Sequence, residues 1–193
     1  MKYLAQLEDY LPKNAQEASD KEIIQHFVKG SEDNLLTREN KIAHFTSSGF
    51  VLNKTCDKIL MIHHKIYDTW TWTGGHADGE EDLLITAIKE AKEETGLDHV
   101  YSLTNKVDSI DILPVWGHMK RGEYVSAHLH LNASFILIGD EEADLITNVE
   151  ETHGVRWIPI DEMAEASREP ELIVVYNKLL DTAKKYREKI NFR

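Results

Sequence analysis

Glu90, Glu93 and Glu94 fall within one turn of each other in the run KEAKEETGL, and a helical reading puts their carboxylates on one arc of the surface. Like charges at these spacings destabilise an isolated helix, and negative charge at a helix C-terminus is opposed by the helix dipole. The arrangement reads either as a solvated acidic face or as a ligand set whose repulsion a hard divalent cation relieves. Magnesium suits the second reading, since it takes carboxylate, carbonyl, water and phosphate oxygens. Leu84, Ala87, Ile88, Ala91 and Thr95 occupy the adjoining arc, so one side packs while the next is acidic. Gly96 supplies the left-handed position that ends such a helix, and Asp82 marks its start.

The wider segment GGHADGEEDLLITAIKEAKEETGL, residues 74 to 97, resembles the Nudix box, G-x5-E-x7-R-E-U-x-E-E-x-G-U with U apolar. Gly75, Glu81, Glu90, Ala91, Glu93, Glu94, Gly96 and Leu97 match it, and Lys89 stands where the family has arginine. The resemblance implies an α/β (α+β) fold, a Nudix-like α/β/α sandwich with a mixed sheet. It also implies Glu90, Glu93 and Glu94 as metal ligands, with the Gly74 carbonyl as a further one. Mg2+ is the implied ion, with Mn2+ as the alternative. The implied reaction is attack of an activated water on a diphosphate linkage in a small phosphorylated substrate, with a nucleoside diphosphate derivative as the expected class. Glu81 would hold the loop or reach the metal through water, or is a surface residue ahead of the helix.

By the same resemblance, Lys89 keeps the charge of the family's arginine but replaces a planar fork of donors by a point charge, so Glu90 should be oriented less firmly. Relatives place the general base either in the box or in a later loop. Glu94 is the first candidate here, and Glu150 and Glu151 in TNVEETHGVRW are the later ones.

Outside the box, His128 and His130 share one face of a strand-like run with Asn132 and Ser134, which reads as a substrate cleft or as an exposed polar face. A zinc site is not expected from them, because no cysteine accompanies them and no third ligand is fixed by spacing. Adjacent His63 and His64 point to opposite faces. Trp70 and Trp72 lie on one side of the extended segment before the box and read as substrate-stacking residues or as core. His76, just past the paired glycines, is placed to approach phosphate. Thr73 stands where many relatives of the box have proline.

The elements that must position these groups are read from periodicity. Ile23, Ile24, Phe27 and Val28 fall at helical spacing behind Ser19 or Asp20, giving a helix over 19–29. Strands are expected over 43–53 and 58–65 around a turn at 53–57, then over 100–116, 123–138 and 155–160. A short helix should follow Asp161, and a longer one, with Leu172, Val175, Tyr176, Leu179, Leu180 and Ala183 on one face, should span 171–189. The expected organisation is an N-terminal helical extension, residues 1–40, packed on a single domain, residues 41–193. Specificity is expected outside the box, in that extension and in the loops around Trp70, 119–123 and 141–148.

A net charge of −12, from 34 acidic and 22 basic residues, disfavours stable nucleic-acid binding. A single cysteine, Cys56, excludes an internal disulfide, and no run is long and apolar enough to span a bilayer. The first residues lack the features of a secretory signal, so a cytoplasmic setting without membrane association is expected. A homodimer would give the N-terminal helix a partner. Two other classes share the resemblance: a non-catalytic nucleotide sensor, and isopentenyl diphosphate isomerase, whose Cys-Ser-His-Pro sequence is missing here.

Overall fold

A computed structural model describes residues 1–120 and 122–191. Two helices, α1 (Lys2–Asp9) and α2 (Ala15–Gly30), precede strands β1 (Ala43–Leu52), β2 (Lys58–His64), β3 (Thr69–Thr71) and β4 (Thr73–His76). Helix α3 (Leu83–Thr95) follows, then β5 (Val100–Ser102), β6 (Ser109–Val115), β7 (His118–Lys120), β8 (Glu123–Val125), β9 (His128–Gly139) and β10 (Thr152–Pro159). The short α4 (Met163–Ala166) and the long α5 (Pro170–Asn191) complete the chain.

β1 is the centre of the sheet and is buried along its whole length. It runs parallel to β9 from Ala43↔Leu129 to Leu52↔Ile138, while β5 and β6 lie antiparallel on β9, so the sheet is mixed. β1 and β2 pair at Leu52↔Ile59. The continuous stretch from Thr69 to His76 pairs first with β2, as β3, and then with β1, as β4. β10 extends the sheet beyond β2, and β7 with β8 forms a separate hairpin.

Strand alternation gives the sheet two apolar faces. Phe45, Val51, Leu131, Ala133, Phe135 and Leu137 pack with α1, α2 and α3, the last through Leu83, Ala87 and Ala91. Phe50, Leu52, Ile136 and Ile138 pack on the other face with Tyr176, Leu179 and Leu180 of α5. Helices thus cover both faces, an α/β/α sandwich. Among the described residues no helix is long and apolar enough to cross a membrane.

The expected strand over 123–138 divides into β8 and β9, and that over 155–160 begins earlier, at Thr152. Three further differences have plain physical reasons. α1 goes unannounced because it is only eight residues long and has no side-chain cap or end charges to mark it, although Tyr3 and Leu7 stand on its buried face at helical spacing. α2 begins at Ala15, four residues before the first expected cap, because the Asn14 side chain accepts the Glu17 N–H at 2.9 Å and the polar first turn is held by this cap. The expected strand over 100–116 divides into β5 and β6 around Asn105, which takes a left-handed conformation (φ 55°).

Candidate active site

α3 starts where Asp82 accepts the Leu84 N–H at 3.1 Å and ends at Gly96, whose φ of 77° is left-handed. A side chain at Gly96 is doubly excluded, since its Cβ would lie 2.6 Å from Ile146 Cβ. Helix α1 braces the N-terminal turn. Gln6 donates to Asp82 at 2.8 Å and accepts the Leu83 N–H at 3.2 Å, and the Lys2 main-chain N–H reaches Glu81 at 3.1 Å. Glu81 therefore holds the junction between α1 and the loop.

The glycine turn and the acidic helix end are locked together. Glu94 is buried, and its carboxylate accepts the Gly74 N–H at 3.0 Å. The N–H and carbonyl of one strand residue point to the same edge, so the Gly74 carbonyl lies on the edge of β4 that carries the bond to Glu94. On the adjacent residue, a Cβ built on Gly75 would fall 2.4 Å from the Glu90 carboxyl carbon. Gly75→Ala should therefore push Glu90 aside, because a side-chain end yields more easily than a strand. The expected result is an unchanged thermal midpoint with turnover reduced on the order of tenfold to a hundredfold, as ångström-scale displacement of a catalytic group costs. Equal loss of stability and activity would contradict this reading.

Burial pushes the Glu94 carboxyl well above the usual carboxylate range, against the Gly74 hydrogen bond that lowers it, and Glu90, Glu151 and Glu93 raise it further. Burial also raises Glu90, with Lys89 opposing and Glu93, Glu151 and Asp78 adding. The donor set is entirely oxygen, and its accumulated negative charge is what a hard divalent cation offsets. The donor chemistry of these residues fits such an ion, although among the described residues their oxygens are not drawn together as the atoms of a ready ligand set. Glu93 is exposed and Lys89 lies 3.7 Å from it, with the two side chains 56% and 60% exposed, so this pair is loose. Both later acidic candidates are exposed; Glu151 raises Glu90 and Glu94 through space, and Glu150 is not among the main causes of either shift.

The two tryptophans separate. Trp72 is 7% exposed and packs edge-on against Tyr176 at 5.2 Å, so the expectation that it stacks on substrate gives way to a place in the α5-side core. Trp70 is half-buried, with the Arg156 guanidinium 4.3 Å over its ring, and lines an open pocket of about 380 Å³ with His63, Asp68 and Arg168. Cys56 sits in the β1–β2 turn, where burial raises its thiol, the opposite of what a reactive thiolate requires.

His76, His128 and His130 come together, and with them a residue the sequence reading missed, His44. The donor atoms of the four all lie within 4.8 Å of one another, and burial with the neighbouring rings pushes His130 down to about 2. The third and fourth imidazoles that spacing did not supply come from β4 and β1. Parity along AHFTSSGF places His44 on the face of Thr46 and Ser48, but only the parallel β1/β9 register sets it beside His130.

A model of the NUDIX domain matches residues 42–179. CMP-5'-(N-acetyl-N-hydroxy-3-aminopropyl)phosphonate hydrolase of Streptomyces rubellomurinus is 33% identical over 115 residues, 58% of this chain and 50% of that protein. The chain thus spans about half the length of this curated relative. Among solved structures, an Ap4A hydrolase of Caenorhabditis elegans superposes with a TM-score of 0.52 at 15% identity, over 73% of this chain and 98% of that one. A NUDIX-family hydrolase of Clostridium perfringens gives 0.50 at 22% identity, over 72% and 97%. These two similarities establish the shared fold.

Proposed function

Since this chain belongs to the NUDIX domain family, we propose that it hydrolyses a phosphoanhydride linkage in a small nucleotide-derived metabolite, with Glu94 as general base. The observation that carries the proposal is the lock between the glycine turn and the acidic helix end, Gly74 on Glu94 and Gly75 against Glu90. Glu90, Glu93, Glu94 and the Gly74 carbonyl would hold Mg2+ or Mn2+, which supplies charge neutralisation at phosphate oxygens and acidifies water. Glu94, fixed by the Gly74 N–H, keeps one carboxylate orientation through the reaction and takes the proton of the attacking water. Glu151, whose charge acts on Glu94 through space, is the second acidic candidate for that role. The name of the Streptomyces relative, a CMP-linked phosphonate hydrolase, supports a nucleoside monophosphate joined through an anhydride to a second phosphorus as the substrate class.

The deciding assay measures metal-dependent product formation over CMP-linked phosphonates, nucleoside diphosphate sugars, ADP-ribose, dinucleoside polyphosphates and nucleoside triphosphates. Turnover of one class, abolished by chelation and restored by Mg2+ or Mn2+, is the expected result. Lys89 favours a second reading, a module that binds nucleotide without turnover, because its loose contact does not orient Glu90 as a guanidinium fork would. Tight binding with no turnover in any class would establish that reading instead. On the hydrolase reading, Lys89→Arg preserves or raises kcat. A large loss of kcat with folding intact would contradict it.

A further inference from the structure

His44 lies in β1, His76 ends β4, and His128 and His130 open β9. His44 is paired with His130 across the parallel register, and His76 is opposite Thr46, two residues along β1 from His44. His76 follows Gly75, whose Cβ direction runs into Glu90, so alternation places His76 on the face of β4 away from the box carboxylates. The ring centroids stand 4.8 Å apart for His44 and His128, 5.0 Å for His44 and His76, and 4.9 Å for His76 and His130. Among the described residues no other set of three or more His, Cys, Asp or Glu side chains converges in this way.

Two observations say what the cluster is built to hold. The Nδ1 atoms of His44 and His128 face main-chain carbonyls, Asn40 O at 3.2 Å and Ser126 O at 2.9 Å. Donation from Nδ1–H to a carbonyl fixes the tautomer and leaves Nε2 with a free lone pair, the arrangement that orients metal-bound imidazoles. In addition, the Nε2 atoms of His44 and His130 are buried and make no hydrogen bond. A buried polar atom left so is costly, and a metal bond removes that cost. At His44 an anion would meet this lone pair rather than an N–H donor, so the arrangement favours a cation over phosphate.

We propose that His44, His76, His128 and His130 form a binding site for a first-row transition-metal dication, zinc foremost, distinct from the carboxylate centre on α3. All-imidazole ligation suits zinc, nickel, copper or iron and discriminates against magnesium, which prefers oxygen. Four nitrogens bound at zinc distances stand about 3.3 Å apart in a tetrahedron, so donors now within 4.8 Å close on an ion by side-chain rotation alone. The bound ion ties the end of β4 to β1 and β9 and so fixes the start of the 77–82 loop that leads into α3.

The test uses the full chain without a histidine tag, stripped with chelator and titrated with Zn2+ by calorimetry and by dialysis with elemental analysis. One Zn2+ per chain should bind in the presence of excess Mg2+, and binding should survive Glu93→Gln/Glu94→Gln. His128→Gln/His130→Gln should abolish it. The single His128→Gln, at a partly exposed position, should keep the native circular dichroism and weaken binding at least about tenfold. Co2+ in the wild-type chain should give the visible bands of nitrogen ligation, a readout independent of any variant. The proposal is overturned if the stripped chain takes up no Zn2+, if uptake is lost with the glutamates and kept without the histidines, or if Co2+ shows oxygen ligation only.

Discussion

Glu94→Gln should lower the maximal rate of hydrolysis on the order of a thousandfold while leaving the thermal midpoint within a few degrees of wild type. The side chain is buried at the end of α3 and receives the Gly74 N–H at 3.0 Å, and glutamine keeps both its shape and an oxygen to accept that bond. What it cannot do is take a proton, and removing a general base costs about a hundredfold to ten-thousandfold. Glu151→Gln should cost less, because that residue is exposed and acts on Glu90 and Glu94 through space. Glu150→Gln should be silent. Rate constants at saturating substrate and metal for the three variants decide the assignment. If none falls by at least about tenfold, the base lies elsewhere.

Much of this site was legible because the box is a local feature. Asp82, Gly96 and the arc of Ala87 and Ala91 set the start, end and packing face of α3 through backbone geometry and a 3.6-residue period, and the helix forms where they place it. A wheel gives the angle of a residue and not its depth. Glu94 is therefore seen in sequence as part of an acidic face, while its burial depends on β4 crossing from β2 to β1 beside the helix end. Trp72 fails for the same reason. Alternation puts it with Trp70 on one side of the strand, but whether that side meets solvent is decided by Tyr176, over a hundred residues away.

The histidines show the limit of spacing more sharply. His128 and His130 are two apart in a strand and declare a shared face, whereas His44 and His76 join them only through a parallel pairing and an antiparallel one. Neither register is specified by the residues near any of the four. Nor is the bracing of α3 by Gln6, which depends on where the short helix α1 docks, over seventy residues away in sequence. Local chemistry was readable; contacts made across the sheet required the topology.

Lys178→Met should destabilise the fold by about 3–5 kcal/mol at neutral pH, the cost of leaving buried charge without its partner. Lys178 of α5 reaches Glu17 of α2 at 3.2 Å and bonds Asp111 of β6, and the two acidic side chains are 0% and 2% exposed. Glu17 also accepts the Lys13 N–H at 2.7 Å, and Asp111 accepts the Ser109 Oγ–H at 2.6 Å, so each carboxylate keeps one neutral donor when the lysine charge is removed. Despite its burial, these partners hold the Glu17 carboxyl below its ordinary range. In wild type, stability from that depression is therefore present above the ordinary carboxylate pKa and lost as pH falls through the folded value. Without Lys178 the depression weakens or reverses, so protonation relieves the variant, and the difference between variant and wild type should shrink on acidification. Urea denaturation at pH 7 and pH 5 measures both parts. A loss under about 1 kcal/mol at pH 7 would show that α2 is held by its apolar contacts through Ile24 and Phe27 and that the ion cluster adds nothing.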